Sequence, residues 1–367
     1  LFRFADSLIA GNKRYPALES ILRQDIPRFK KYQKRKTIID EAKEILPQVI
    51  DAVVNLNNSY IFIQGPPGSG KTYTGSHIIV ELLRRGFRVG VSSNSHKAIN
   101  NLLSHVEKVA MEQGVDFEGV KKSTKTKDES IFDGLFIQNV FINKEALDEN
   151  WQLIAGTAWL FSDVLVDQVL DFLFVDEAGQ VALANLIAMG TSARNIVLLG
   201  DQMQLGQPIQ GIHPGRSGES SLDYLLNGMA TIPPERGIFL NTTWRMHPDV
   251  CGFISEAVYD GRLKPEPSNI NRRLVLGKGA HPLLKRSGVA YVPAQHDACS
   301  QRSDEEAQIV EEMYKSLLKQ HYFDKNGNKH PLTEDNILVV APYNMQVNLL
   351  KRTLPKNARV GTVDKFQ

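Results

Sequence analysis

Eight residues, Gly65-Pro66-Pro67-Gly68-Ser69-Gly70-Lys71-Thr72, fit the G-x-x-x-x-G-K-[ST] spacing of a phosphate-binding loop. Glycines at 65, 68 and 70 let the backbone fold tightly around an anion and aim its N–H groups inward, and a helix starting behind the loop adds its positive end. In that chemistry Lys71 reaches the β and γ phosphates of a nucleoside triphosphate and the Thr72 hydroxyl binds Mg²⁺. An acidic pair, Asp176-Glu177, follows the apolar run Phe172–Val175. Asp176 is expected to hold Mg²⁺ through water, and Glu177 to orient or deprotonate the attacking water. Alone, an Asp-Glu pair usually marks a helix start; the loop upstream and the apolar run before it favour catalysis. Gln204, in Gly200-Asp201-Gln202-Met203-Gln204-Leu205, can both donate and accept hydrogen bonds, as a phosphate or water sensor must. Arg245 is a candidate arginine finger, a planar and permanent cation for transition-state charge. Trp244 beside it is a candidate to stack on adenine, although a Trp-Arg pair read alone is more often core plus salt bridge.

These residues need a scaffold that brings them to one edge. The runs Ile61–Ile63, Val89–Val91, Leu153–Ala155, Phe172–Val175 and Ile196–Leu199 suit parallel strands buried on both faces. They alternate with helical patterns such as Thr72 to Arg85. That alternation predicts an open α/β sheet, whose ligands bind at the carboxyl ends of the strands. Residues 1–59 read as mostly helical, with Pro16, Pro27 and Pro47 as breaks. Residues 115–150 interrupt the rhythm, and Lys121 to Lys127 reads as an exposed loop. After Gly211 the chain is turn-rich up to Pro233-Pro234. A second α/β pattern then begins, with helices expected at Pro248–Tyr259, Asp304–Lys319 and Met345–Leu354. Its expected strands are Gly288–Val292, Asn336–Val340 and Arg359–Val363. The expected division is a helical segment 1–47, a first ATPase domain 48–233 and a second domain 234–367. No internal repeat at a solenoid period is visible.

The 367 residues suffice for two or three domains. Lys plus Arg total 43 against 41 Asp plus Glu, so bulk charge selects no partner, and a nucleic-acid site must come from local placement. The densest basic run, Arg28 to Lys36, reads equally as a solvated helix face or a phosphate contact. The two cysteines, Cys251 and Cys299, have no metal-ligand spacing, which suits a reducing, cytoplasmic setting and excludes a cysteine-built zinc or iron–sulfur site. No apolar run reaches membrane-spanning length, and no signal-peptide pattern opens the chain. It begins at Leu1 and stops at Phe366-Gln367, and both ends read as cut from something longer.

Taken in order, these segments resemble superfamily-1 helicases, in the branch of the nonsense-mediated-decay helicase and the nuclease–helicases of replication and repair. Gly65–Thr72 matches motif I, with Tyr73 next to it among the nucleotide-binding residues. Ser92-Ser93-Asn94-Ser95-His96 matches motif Ia, Ala155-Gly156-Thr157 motif Ib, Asp176–Gln180 motif II and Gly200–Pro208 motif III. Trp244-Arg245-Met246-His247-Pro248 matches Tyr-Arg-Met-His-Pro, and Val360–Gln367 the start of motif V. Gln48 sits where the family's adenine-reading glutamine is expected. The stretch Ser95 to Leu103 is similar to a bacterial group in which the helicase follows a RecB-like nuclease domain, although no nuclease motif is visible in this chain.

The resemblance implies two RecA-like P-loop domains with parallel sheets, the second incomplete, and ATP with Mg²⁺ in the cleft between them. It implies single-stranded nucleic acid as partner, DNA favoured over RNA, no membrane, and 5′-to-3′ movement. Asn94, His96, Thr157 and Thr362 are the implied backbone contacts. Three departures stand out. Trp244 replaces tyrosine. The linker 104–152 is short, so a large inserted domain is not expected. Motif VI, with its second arginine, would lie beyond Gln367, so the chain as given is expected to bind ATP and hydrolyse it poorly. A small-molecule kinase or GTPase is the rival reading, but the nearest guanine motif, Asn143-Lys144-Glu145-Ala146, lacks its aspartate. A nucleic-acid clamp or scaffold without unwinding is the other; intact Lys71 and Glu177 argue against it.

Overall fold

The computed structural model describes residues 1–31, 37–148, 150–204, 206, 211, 213–297 and 299–366. Residues 32–36 of the basic run, residues 205, 207 and 208 of motif III, and Gln367 lie outside the described residues. The chain forms two compact units. One is Leu1–Asn241 with Val258–Leu263; the other is Thr242–Ala257 with Lys264–Gln367. The polypeptide therefore passes from one unit to the other at three points.

The first unit opens with helices α1 (Phe2–Ala10), α2 (Pro16–Arg23) and α3 (Ile45–Val54). It continues as β1 (Tyr60–Gln64), α4 (Lys71–Arg84), β2 (Val89–Ser92), α5 (His96–Gln113), β3 (Gly119–Lys122), β4 (Ile137–Val140), α6 (Asn143–Ala146), β5 (Leu153–Ala155) and α7 (Ala158–Phe161). The last elements are β6 (Leu170–Val175), α8 (Leu183–Gly190), β7 (Ala193–Gly200), α9 (Ser221–Leu226) and β8 (Gly237–Phe239). Eight strands form one sheet in the order β4-β3-β5-β2-β6-β7-β1-β8. Every pair in it is parallel. The five apolar runs became its interior because such strands have no wet face. Ile61 and Ile63 of β1, Ile78, Ile79 and Leu82 of α4, Leu102 and Val106 of α5 and Phe172 and Phe174 of β6 share one buried core. Burying each such side chain contributes about 1.5–3 kcal/mol.

Three local readings are corrected. The segment 115–150 does not leave the sheet: it supplies β3 and β4. Lys121 is fully buried on β3, not looped out, because its ammonium donates to the Ser130 carbonyl and lies 3.3 Å from Ser123 Oγ. Pro16 starts α2, and Pro47 sits in the first turn of α3, where no intrahelical N–H is lost. The first unit includes Gly237–Phe239, which pairs with β1 as an edge strand.

The second unit holds β9 (Thr242–Thr243), α10 (Pro248–Val258, its last residue at the crossing), β10 (Lys264–Pro265), β11 (Arg273–Val275) and α11 (Asp304–Leu317). It continues with β12 (His321–Phe323), β13 (Lys329–Pro331), β14 (Leu338–Val340), α12 (Asn344–Thr353) and β15 (Arg359–Gly361). β14 and β15 are parallel, and α11 and α12 pack beside them through Tyr314, Val347, Leu350 and Val360. β11, β12 and β13 form a separate antiparallel sheet. Gly288–Val292 is not a strand. Gly288 has φ +86°, and the Ser287 hydroxyl is drawn to Asp249 Oδ2, which bends the chain there.

Candidate active site

Because the large sheet is parallel, the carboxyl ends of its strands share one edge, and Gly65–Thr72, Asp176, Glu177 and Gln204 follow strands β1, β6 and β7 there. The phosphate-binding loop joins β1 to α4. Its start is tied to the end of β7 by the Gly65 N–H, which donates to the Gly200 carbonyl at 2.9 Å. Gly68 and Gly70 have φ of +73° and +85°, conformations open to glycine at little cost. Lys71 turns back into the loop and donates to the Gly65 carbonyl at 2.7 Å. A Cβ on residue 65 would lie 2.1 Å from Lys71 Cγ, so only glycine admits that lysine. Ser69 Oγ is buried and has no hydrogen-bond partner among the described residues. A glycine-shaped cradle holding an ammonium, with an orphaned hydroxyl beside it, fits a phosphate chain. Thr72 stands half-buried in the first turn of α4, and Tyr73 is exposed with its ring 4.1 Å from that of His77.

Asp176 follows β6 directly and is almost wholly buried. Burial first, then the Glu177 charge, push its carboxyl up to about 7, while the Glu177 N–H and Lys71 pull it down. A carboxyl in that position needs a cation to ionise fully, which suits a magnesium ligand. Among the described residues no group of three or more His, Cys, Asp or Glu could hold a metal. A cation here would thus take much of its shell from phosphates and water, as Mg²⁺ does. Glu177 lies in the left-handed region, φ 51° and ψ 43°. A non-glycine residue held there costs of order 1–2 kcal/mol, and such outliers gather at functional positions.

The loops after β6 and β7 press together: a Cβ on Gly179 would meet the Asp201 carbonyl at 2.8 Å, and one on Gly200 the Gly179 nitrogen at 3.1 Å. Gln204 Nε2 donates to Asp201 Oδ2 at 3.3 Å. Asp201 also accepts from the Tyr259 hydroxyl at 2.6 Å. Sequence reasoning missed Tyr259, because nothing local marks a tyrosine that returns from so far along the chain. It likewise missed Gln64 of β1, fully buried, which donates to Gln202 Oε1 at 2.9 Å and accepts from the Ile232 N–H at 2.7 Å.

Asn94 follows β2 and donates to the Gln180 carbonyl, linking motif Ia to motif II. His96 begins α5, with Nδ1 3.5 Å from Lys121 Nζ; burial and then Lys121 hold its pKa down. Thr157 caps α7 after β5, its hydroxyl making no cap bond. Gln48 lies on α3 with its amide engaged at both ends, Oε1 accepting from Asp40 N at 2.8 Å and Nε2 donating to Asp40 O at 3.0 Å. An adenine would have to exchange those bonds. In the second unit Trp244 and Arg245 are exposed, and the Arg245 N–H reaches Thr243 Oγ1 at 3.4 Å. Thr362 follows β15, its carbonyl accepting from Lys365 N at 3.2 Å.

Two family models, each described as an AAA domain, match residues 47–216 and 219–367. The chain is 25% identical over 367 residues to the DNA replication ATP-dependent helicase/nuclease JHS1 of Arabidopsis thaliana, with 95% of this chain and 26% of that protein covered. With the DNA polymerase alpha-associated DNA helicase A of Saccharomyces cerevisiae the identity is also 25%, covering 85% of this chain and 56% of the other. The two matches are successive AAA domains, and the relatives named here are helicases. The chain spans about a quarter of the Arabidopsis relative's length. A solved structure of an arterivirus nonstructural protein 10 (helicase) with DNA aligns at TM-score 0.36 and 17% identity, covering 56% of this chain and 41% of that one. That likeness is too low to add to the topology. Among the described residues, no helix is long and apolar enough to cross a membrane.

Proposed function

We propose that this chain is the motor of an ATP-dependent DNA helicase or translocase. The observation that supports it best is the convergence of Lys71, Asp176, Glu177 and the Gln204–Asp201 pair at the strand ends of one parallel sheet. In this reading Gly65–Thr72 with Tyr73 hold the nucleotide, and Thr72 and Asp176 hold Mg²⁺. The cation, when bound, neutralises phosphate charge. Lys71 exchanges the Gly65 carbonyl for phosphate oxygens. Glu177 aims its carboxylate at the attacking water and takes its proton. Gln204, held by Asp201, senses the terminal phosphate. Gln48, Trp244 and Arg245 are assigned by motif order alone, to adenine, adenine stacking and transition-state charge. Asn94, His96, Thr157 and Thr362 are assigned to the sugar–phosphate backbone of a single strand.

DNA is favoured over RNA because the matched relatives are named DNA helicases. Movement 5′-to-3′ and a nuclease domain elsewhere in the same protein are finer parts of the proposal. The test is ATP hydrolysis with and without single-stranded DNA or RNA, followed by strand displacement on substrates with either a 5′ or a 3′ tail. Stimulation by single-stranded DNA and displacement from the 5′ tail are expected. Hydrolysis indifferent to any strand would overturn the reading.

A further inference from the structure

The second unit contains a cavity of about 540 Å³ at its antiparallel sheet. Arg272, Arg273, Arg286 and Lys325 all line it. They come from three separate stretches of chain. Arg272 follows a short 3₁₀ turn and is aimed by Asn269 Oδ1, which accepts from its Nε at 3.0 Å. Arg273 opens β11 opposite Phe323 of β12, and its guanidinium stands 5.5 Å from that ring's centre. Arg286 is anchored through its carbonyl, which accepts from the Leu274 N–H at 2.7 Å. Lys325 sits in the β12–β13 turn, its carbonyl accepting from Asn271 Nδ2 at 3.0 Å.

None of these four cations forms an ion pair among the described residues. The one carboxylate in the lining, Asp324, is already committed to the turn. It accepts from Asn326 N at 2.9 Å, Asn328 N at 2.8 Å and His330 Nε2 at 3.2 Å. Glu266, whose charge Lys325 and Arg272 feel, accepts from the N–H and hydroxyl of Ser268. Four cations against these two carboxylates leave the face net positive, and the arrangement becomes more favourable when an anion enters.

We propose that this cavity is a second nucleic-acid contact, which takes the sugar–phosphate backbone of a DNA strand. The inference rests on the helicase reading. The cations are exposed and arrayed along a sheet edge and a turn, as a run of phosphates requires, whereas a buried pocket would suit a single small anion. Arg272, Arg273 and Arg286 offer planar forks for phosphate oxygens. Tyr322 and Phe323 give the wall an aromatic character that tolerates any base. Binding at this site is sequence-independent.

The experiment is anisotropy of labelled single-stranded DNA with the whole chain at several salt concentrations. Wild type is compared with Arg272→Ala/Arg273→Ala/Arg286→Ala and, independently, with Lys325→Glu. We expect the triple variant to lose at least tenfold in affinity for every sequence, with the slope of log K against log salt shallower by about 2. Unstimulated ATP hydrolysis and the melting temperature should stay at wild-type values. Lys325→Glu should weaken binding in the same direction, and it serves if the triple variant fails to fold. Unchanged affinity and slope in a folded variant overturn the inference while leaving the helicase reading intact. No binding by wild type overturns both. Loss of AMP or inorganic phosphate binding with DNA binding unaltered would make this a free-phosphate site and overturn the DNA assignment.

Discussion

The Tyr259 hydroxyl donates to Asp201 Oδ2 at 2.6 Å, and both side chains are about 2% exposed. The same Asp201 oxygen accepts from Gln204 Nε2 at 3.3 Å. Tyr259 follows directly on α10, the helix that begins at the Trp244–Pro248 motif. A single buried carboxylate therefore bonds both the candidate phosphate sensor and the residue that follows this helix.

Tyr259→Phe removes the buried donor and leaves Asp201 with weaker partners. The expected loss is about 1–3 kcal/mol of stability, the cost of an under-satisfied buried polar group. Urea denaturation measures it; an unchanged midpoint would show that Asp201 finds another donor.

Gly65→Ala drives a Cβ into the Lys71 side chain without touching the sheet. Nucleotide affinity should fall at least tenfold, about 1.4 kcal/mol, with an unchanged far-ultraviolet spectrum. Titration calorimetry with ATP·Mg²⁺ decides it, and wild-type affinity would mean that Lys71 can leave the loop freely.

Glu177 separates stability from activity. Glu177→Gln should retain nucleotide binding and slow hydrolysis by orders of magnitude, since the base is gone and the shape kept. Glu177→Gly should hydrolyse as poorly yet be as stable as wild type or up to about 1 kcal/mol more so, because relief of the left-handed backbone outweighs the added freedom of the unfolded chain. A clear drop in melting temperature for the glycine variant would contradict the strain argument.

Lys121 and the buried tyrosines set opposite slopes on stability against pH. Burial lowers the Lys121 pKa to about 8. From there to about 10.4 the unfolded chain holds the extra proton more firmly, so stability rises with pH. His96, Ser123 and Ser130 are the polar groups facing the ammonium. Tyr15 is pushed up to about 12, and Tyr60 and Tyr259 are also raised, burial being the first cause in each. Their contribution is intact below about 10 and is lost as pH climbs past the unfolded tyrosine value. Melting temperature should therefore rise modestly above pH 8 and fall steeply above about 10. Lys121→Met should flatten only the first limb.

The phosphate loop, the acidic pair and the five interior strands were legible because each is local. Glycine spacing, an apolar run and the polar residues that end it lie within a few positions of one another. β3 and β4 were not, since Gly-Val-Lys-Lys and Ile-Gln-Asn-Val carry too few apolar residues to announce a strand. They become strands by pairing with β5 and with each other. Lys121 misled for a related reason: a lysine in a basic run reads as solvated until a carbonyl such as that of Ser130 comes to meet it. Tyr259 and Gln64 were invisible because their meaning lies in partners distant in sequence. The Gly288–Val292 run failed because alternation alone cannot supply a neighbouring strand.

The threefold passage of the polypeptide between the two units also bears on how such a chain can be inherited. Val258–Leu263 is held on the first unit by Tyr259, by Asp260 Oδ2 accepting from Thr231 Oγ1 at 2.9 Å, and by Arg262 donating to the Ile232 carbonyl at 2.9 Å. A gene crossover at residue 241 would join one ancestor's first unit to another ancestor's strap. Asp201, Thr231 and the Phe239 face under Arg262 would then meet side chains they had not evolved beside. The two halves are consequently expected to descend together, with recombinants between distant lineages surviving only where residues 258–263 travel with the first half.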